Sequence, residues 1–163
     1  VFLVETMSSI TEARAALSAL KAAGRESFLG LTLKDDLTIS LRSGEPLAQA
    51  IDVLGENGVD AICLNCSSPE TIDNALTMLS DSGLRFGAYA NAFKSVEPFA
   101  VGSTVDSLNA RTDLTPMKYA EHALGWVRHG ATIIGGCCEV GPGHVAHLHD
   151  KLRKEGFQLT ALV

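Results

Sequence analysis

Residues 61–83 read AICLNCSSPETIDNALTMLSDSG. The stretch opens on a short apolar run, Ala61 to Asn65, that ends at Cys66. Ser68 and Pro69 then supply an N-cap and a first helical residue. Ile72, Ala75, Leu76 and Leu79 recur at i, i+3, i+4 and i+7, the apolar stripe of a helix, and Gly83 stands where a C′ glycine stops one. The run before the helix is continuously apolar rather than alternating, as in a strand covered on both faces. One buried strand followed by one amphipathic helix is therefore the unit of this chain.

The unit recurs on both sides. Apolar runs lie at Val1-Phe2-Leu3-Val4, Ser27 to Leu33, Arg85 to Ala90 and Ala131 to Gly136. Helical patterns follow each. Ser9 and Glu12 form a capping box ahead of Ala16, Leu17 and Leu20. The others run from Gly44 to Gly58, from Thr115-Pro116 to Gly130, and from Gly143 to Gly156. Five strand-helix units in succession predict an α/β fold with parallel strands and right-handed crossovers. A closed barrel takes eight units, whereas an open doubly wound sheet can stop at five, and periodicity alone leaves both open. No Gly-rich phosphate turn follows any strand, which disfavours a dinucleotide site. Asn91 to Asp113 carries neither period and follows the fourth strand, so it is expected to be a functional loop.

At 163 residues, 46% of them hydrophobic, the chain has enough apolar material for one packed domain. Its formal net charge of −6 argues against a nucleic-acid or anionic-membrane partner. No apolar run reaches the roughly 18 residues a membrane span requires, and Val1 to Glu5 lacks the basic leader of a signal peptide. The four cysteines are Cys63, Cys66, Cys137 and Cys138. Two are adjacent, and a vicinal disulfide closes a strained ring. Reduced thiols in a cytoplasmic protein are the expectation.

Cys66 ends the third strand, and Cys137 and Cys138 follow directly on the fifth. In a parallel sheet all strand ends of one polarity share one rim, so these three thiols are expected to converge despite their distance in sequence. Three thiolates make a trigonal face for Zn2+ and leave the fourth position open, as in catalytic zinc sites. Burial of each thiol, or a redox pair at Cys137-Cys138, is the competing reading. Cys63 is three residues before Cys66, and on a strand that spacing points to the opposite face. It is expected to be a small buried hydrophobe. Gly135-Gly136 predicts a close approach to the backbone, and Gly141-Pro142-Gly143 a turn into the last helix. Glu5 ends the first strand on the cysteine rim, where a carboxylate can pair with a substrate ammonium group. Asn65 and Asn91 lie at strand ends and can hydrogen-bond a substrate. His144, His147 and His149 are expected on a solvated helix, and His122 and His129 on a helix surface. Phe2 and Ile133 are expected to face the inside of a barrel.

Leu64-Asn65-Cys66 with Ser67-Ser68-Pro69, Ile133-Ile134-Gly135-Gly136-Cys137-Cys138 and Gly141-Pro142-Gly143-His144-Val145 together resemble the zinc-dependent homocysteine S-methyltransferase family. Val4-Glu5-Thr6 leading to Thr11-Glu12-Ala13 resembles the family's segment at its fourth barrel strand. The resemblance runs over essentially the whole chain. It implies an α/β (β/α)8 TIM barrel of which residues 1–163 form a partial domain, strand-helix units 4 to 8. It implies Zn2+ on Cys66, Cys137 and Cys138, and Glu5 on the amino group of homocysteine. The implied reaction is methyl transfer from a small-molecule donor to the zinc-bound homocysteine thiolate, giving methionine. The donor is left open among S-methylmethionine, S-adenosylmethionine, betaine and a folate. The rival is a non-catalytic zinc-binding or redox-active barrel fragment acting as an assembly module. Five units alone would leave the first and fifth strands unpaired, so either homo-oligomerisation or a missing N-terminal segment is expected.

Overall fold

The computed structural model describes residues 1–96, 104, 106 and 108–160. Five strands alternate with five helices: β1 (Phe2–Met7), α1 (Ile10–Ala22), β2 (Ser27–Leu31), α2 (Leu47–Glu56), β3 (Ala61–Asn65), α3 (Pro69–Asp81), β4 (Phe86–Tyr89), α4 (Pro116–Arg128), β5 (Ile133–Ile134) and α5 (Pro142–Lys154). The strands form one sheet in the order β1-β2-β3-β4-β5, and every pairing is parallel. Neighbours in sequence are thus neighbours in space. A doubly wound sheet would reverse its order about a central strand, so this is the wall pattern of a barrel.

The caps work as their residue types require. The Ser9 hydroxyl accepts from the Glu12 N–H at 3.2 Å, and the Glu12 carboxylate reaches back to the Ser8 N–H at 2.9 Å. Ser68 and Thr115 cap α3 and α4 in the same way, each followed by proline. Two elements are shorter than expected. The helix placed at Gly44 begins only at Leu47, because Leu33 bridges Leu41 and Ser40 bridges Pro46 in a folded connection first. The fifth strand pairs only at Ile133 and Ile134, since the Tyr119 hydroxyl donates to the Gly135 carbonyl at 2.7 Å.

Register separates the sheet into two faces. Leu29, Leu31, Ile62, Leu64 and Ala88 pack with the helices in the large core, which also buries Leu17, Leu54, Leu79 and Trp126. Phe28, Ala61, Cys63, Tyr89 and Ile133 form a smaller cluster on the other, inner face. Leu3 pairs with Phe28 and so belongs to the inner face, whereas Phe2 pairs with Ser27. The expectation that Phe2 faces inward with Ile133 is therefore corrected: Leu3 takes the inward position, and Ile133 keeps its own. Both β1 residues are exposed, Phe2 at 48% and Leu3 at 36%.

The inner face is tight where strands carry glycine. A Cβ on Gly87 would lie 2.5 Å from the Ile133 Cβ and 2.6 Å from its carbonyl oxygen, neither of which can move without breaking the β4–β5 pairing. Gly87→Ala is expected to destabilise the protein by about 1–3 kcal/mol in denaturant unfolding. Gly125→Ala, inside α4 with nothing within 4 Å of the new methyl, should instead stabilise it by up to about 1 kcal/mol.

Candidate metal centre

The β3 and β5 ends bring three thiols together. Cys66 Sγ lies 4.0 Å from Cys138 Sγ, and Cys137 Sγ lies 3.9 Å from Cys138 Sγ. All three sulfurs fall within 4.8 Å of one another, and they form the only such ligand group among the described residues. Sulfurs bound tetrahedrally at about 2.3 Å would sit about 3.8 Å apart. The cluster therefore matches the donor set and spacing of a three-thiolate zinc face. The neighbouring Cys66 thiol lowers Cys137 to about 6. The neighbouring Cys137 thiol, with burial, raises Cys66, and burial raises Cys138. Cys63 stays apart: it is wholly buried on the inner face, and desolvation pushes its thiol up to about 12.

Backbone contacts set the ligand positions. Cys66 is left-handed at φ 50°, an uncommon state for a side chain larger than hydrogen. Its carbonyl accepts from the Arg42 guanidinium at 3.0 Å and from the Thr32 hydroxyl at 3.4 Å. The next residue, Ser67, accepts from the Leu33 N–H at 2.8 Å. The Ser68 N–H donates to Asp35, whose second oxygen takes the Val96 N–H. On the other loop the Cys137 N–H donates to the Ala90 carbonyl, and the Cys138 carbonyl accepts from Ala92. Val140 folds onto Gly136, where a Cβ would collide with its Cγ1, so the close approach expected at Gly135-Gly136 comes from this side chain.

Glu5 and Thr6 occupy a bulge, two β1 residues against the single β2 residue Gly30 between the Val4–Leu29 and Met7–Leu31 pairs. Bulges re-aim side chains at strand ends. Thr6 is left-handed at φ 65°, unusual for a β-branched residue. Asn65 holds it there, accepting from the Thr6 N–H at 3.1 Å and donating to its hydroxyl at 2.8 Å. Asn65 thus fixes the bulge that carries Glu5. It reaches across β2 because Gly30 has no side chain: a Cβ there would lie 2.7 Å from Asn65 Oδ1 and 2.6 Å from the Tyr89 hydroxyl oxygen. Glu5 lies near the thiol rim, since its charge opposes ionisation of Cys137, Cys63 and Tyr89. Burial is the main cause that raises Tyr89, and its hydroxyl has no hydrogen-bond partner among the described residues. Asn91 is also buried. Its Oδ1 accepts from the Phe93 N–H at 3.0 Å, while its Nδ2 is equally unpartnered.

The histidines stay out of the cluster. His144 is not solvated as expected: its Nε2 donates to the Leu114 carbonyl at 3.1 Å, and its ring meets Tyr119 edge-on. His147 and His149 are exposed. His122 pairs with Asp73 at 2.7 Å, and the same carboxylate takes the Trp126 indole N–H. The expected loop closes at its base, where Phe93 bridges Ala110 and Arg111 donates to Ala92. Arg111 also ties Glu70 and Asp113 together. Residues 97–103, 105 and 107 of that loop lie outside the described residues.

A family model described as homocysteine S-methyltransferase matches residues 1–152. The chain belongs to the homocysteine S-methyltransferase family. It is 28% identical over 149 residues to a methionine synthase of Mycobacterium tuberculosis, covering 88% of this chain and 12% of that protein. Its fold resembles the homocysteine methyltransferase MmuM of Escherichia coli at 25% identity. The apo form gives a TM-score of 0.68 over 91% of this chain and 49% of that one. The metallated form gives 0.69, with 91% and 44% covered. The chain thus spans about half the length of these family structures and far less of the methionine synthase. Among the described residues no helix is long and apolar enough to cross a membrane.

The geometry separates the four cysteines of this family member. Cys66→Ala, Cys137→Ala and Cys138→Ala should each remove most zinc from the purified protein, measured by elemental analysis after dialysis. Cys63→Ala should keep the zinc and lose only about 1 kcal/mol of packing.

Proposed function

We infer that the protein transfers a methyl group from a small-molecule donor to the thiol of homocysteine, giving methionine. The observation that carries this reading is the convergence of Cys66, Cys137 and Cys138 at zinc-ligand spacing on the carboxyl rim of a family sheet. Thiols have an ordinary pKa of about 8.5, and zinc held by these three cysteines would keep a fourth, substrate thiol ionised at neutral pH.

The chain's own residues supply position. Glu5, aimed by the bulge, takes the substrate ammonium group in a charge-assisted hydrogen bond. Asn65 keeps Glu5 in place through Thr6. The unpartnered amide of Asn91 and hydroxyl of Tyr89 offer further bonds to a polar amino acid. In the transfer the acceptor sulfur forms a bond to the methyl carbon, and the donor atom leaves with the electron pair of the broken bond. We read the five units as units 4 to 8 of a (β/α)8 barrel, supported by the sequential parallel order and the exposed apolar residues of β1. A cytoplasmic setting suits thiols that must stay reduced.

Methionine formation from homocysteine, assayed with S-methylmethionine, S-adenosylmethionine, betaine and a methyl folate in turn, tests the reading. Turnover with one donor, abolished by a zinc chelator, is the expected result. Glu5→Gln should raise KM for homocysteine about tenfold or more, the scale of a lost hydrogen bond to a charged group. Stoichiometric zinc without turnover on any donor would assign the cluster to a non-catalytic module instead.

A further inference from the structure

Arg42 has no place in the chemistry above, yet its guanidinium is directed at a ligand residue. Its Nη2 donates to the Cys66 carbonyl at 3.0 Å, and its Nε donates to the Thr32 hydroxyl at 2.9 Å. Thr32 is fully buried, and its hydroxyl donates to the same carbonyl at 3.4 Å. The Arg42 N–H closes the arrangement on the Thr32 carbonyl at 3.2 Å. Arg42 therefore belongs to the connection after β2, while the residue it grips belongs to the end of β3. None of the ion pairs among the described residues includes Arg42.

Cys66 needs such a grip. Its left-handed backbone turns the thiol toward Cys138, and a non-glycine residue holds φ 50° only when its surroundings over-determine it. The fork of a guanidinium fits this task, because two donors in one plane meet two acceptors just past the ends of β2 and β3. We propose that Arg42 is a positioning residue for the metal centre, holding Cys66 in its ligating conformation through the Cys66 carbonyl. The proposal rests on the zinc reading above.

Zinc affinity, measured by competition with a chromophoric chelator, tests it in the unaltered protein and in R42M, R42K and R85M. R42M should bind zinc about tenfold to a hundredfold more weakly, the range seen when groups behind metal ligands are removed. R42K restores the charge and one donor and should fall between. R85M loses an arginine that bonds Thr132 and Glu26 at the amino end of β4, and should match the unaltered protein. In cobalt-loaded R42M, thiolate-to-cobalt charge-transfer absorption should drop from that of three thiolates toward that of two. Should R42M not fold, Thr32→Val removes the second contact and should weaken zinc several-fold. Equal affinity in R42M and the unaltered protein, or equal loss in R42M and R85M, would overturn the role of Arg42 while leaving the metal centre intact. An unaltered protein that takes up no zinc would overturn the metal centre itself, and this proposal with it.

Discussion

Everything at the rim depends on strand polarity. Five parallel strands present five carboxyl ends to one side, and each end leads into a loop that must turn outward to a helix. The residues about the ends of β1, β3, β4 and β5 are thus crowded together. Glu5-Thr6 near the end of β1, and Cys66, Asn91 and Cys137-Cys138 shortly past β3, β4 and β5, occupy those positions. Two of these turns use left-handed residues, Thr6 and Cys66, and a third left-handed residue, Glu139, directly follows Cys138. Of the four left-handed non-glycine residues only Leu37 lies away from this rim, and apart from the β1 bulge the strand pairings keep an even register.

The chemical part of the rim was readable from residue types because polarity converts position along a strand into position in space. Cys66 and Cys137-Cys138 are far apart in sequence, but each follows a run whose end is plain. The supports were not readable in the same way. Arg42, Thr32, Ser67 and Asp35 act on backbone atoms of other loops, and such bonds leave no period. The connection after β2 showed only scattered Leu33, Ile39 and Leu41, and nothing in that pattern reveals its paired bridges. Asn65 was legible as a polar strand end, and its partner Thr6 was not, since their bond depends on the space above Gly30.

Facing is the other quantity that composition conceals. Val1-Phe2-Leu3-Val4 is apolar throughout, so no alternation says which side is inner. Register with Phe28 and Leu29 decides it. His144 likewise reads as one of three helical histidines until Leu114 and Tyr119 are placed beside it. In both cases the missing information is tertiary and lies in a neighbour distant along the chain. The loop from Asn91 to Asp113 was recognisable because it had no period at all, and its base lies beside the rim, where the Ala92 N–H donates to the Cys138 carbonyl.

The separation of Cys66 and Cys138 by 72 positions has a consequence for the order of assembly. The loop after β5 cannot hold its thiols in place until β4 is seated between β3 and β5, because Ala90 and Ala92 supply the contacts that fix Cys137 and Cys138. Closing so long a segment is entropically costly, and its contacts are non-local. The thiol cluster is therefore complete only when β3, β4 and β5 are all paired. Before that moment the chain offers only isolated sulfurs. Capture of a metal there would report that three strands have docked correctly.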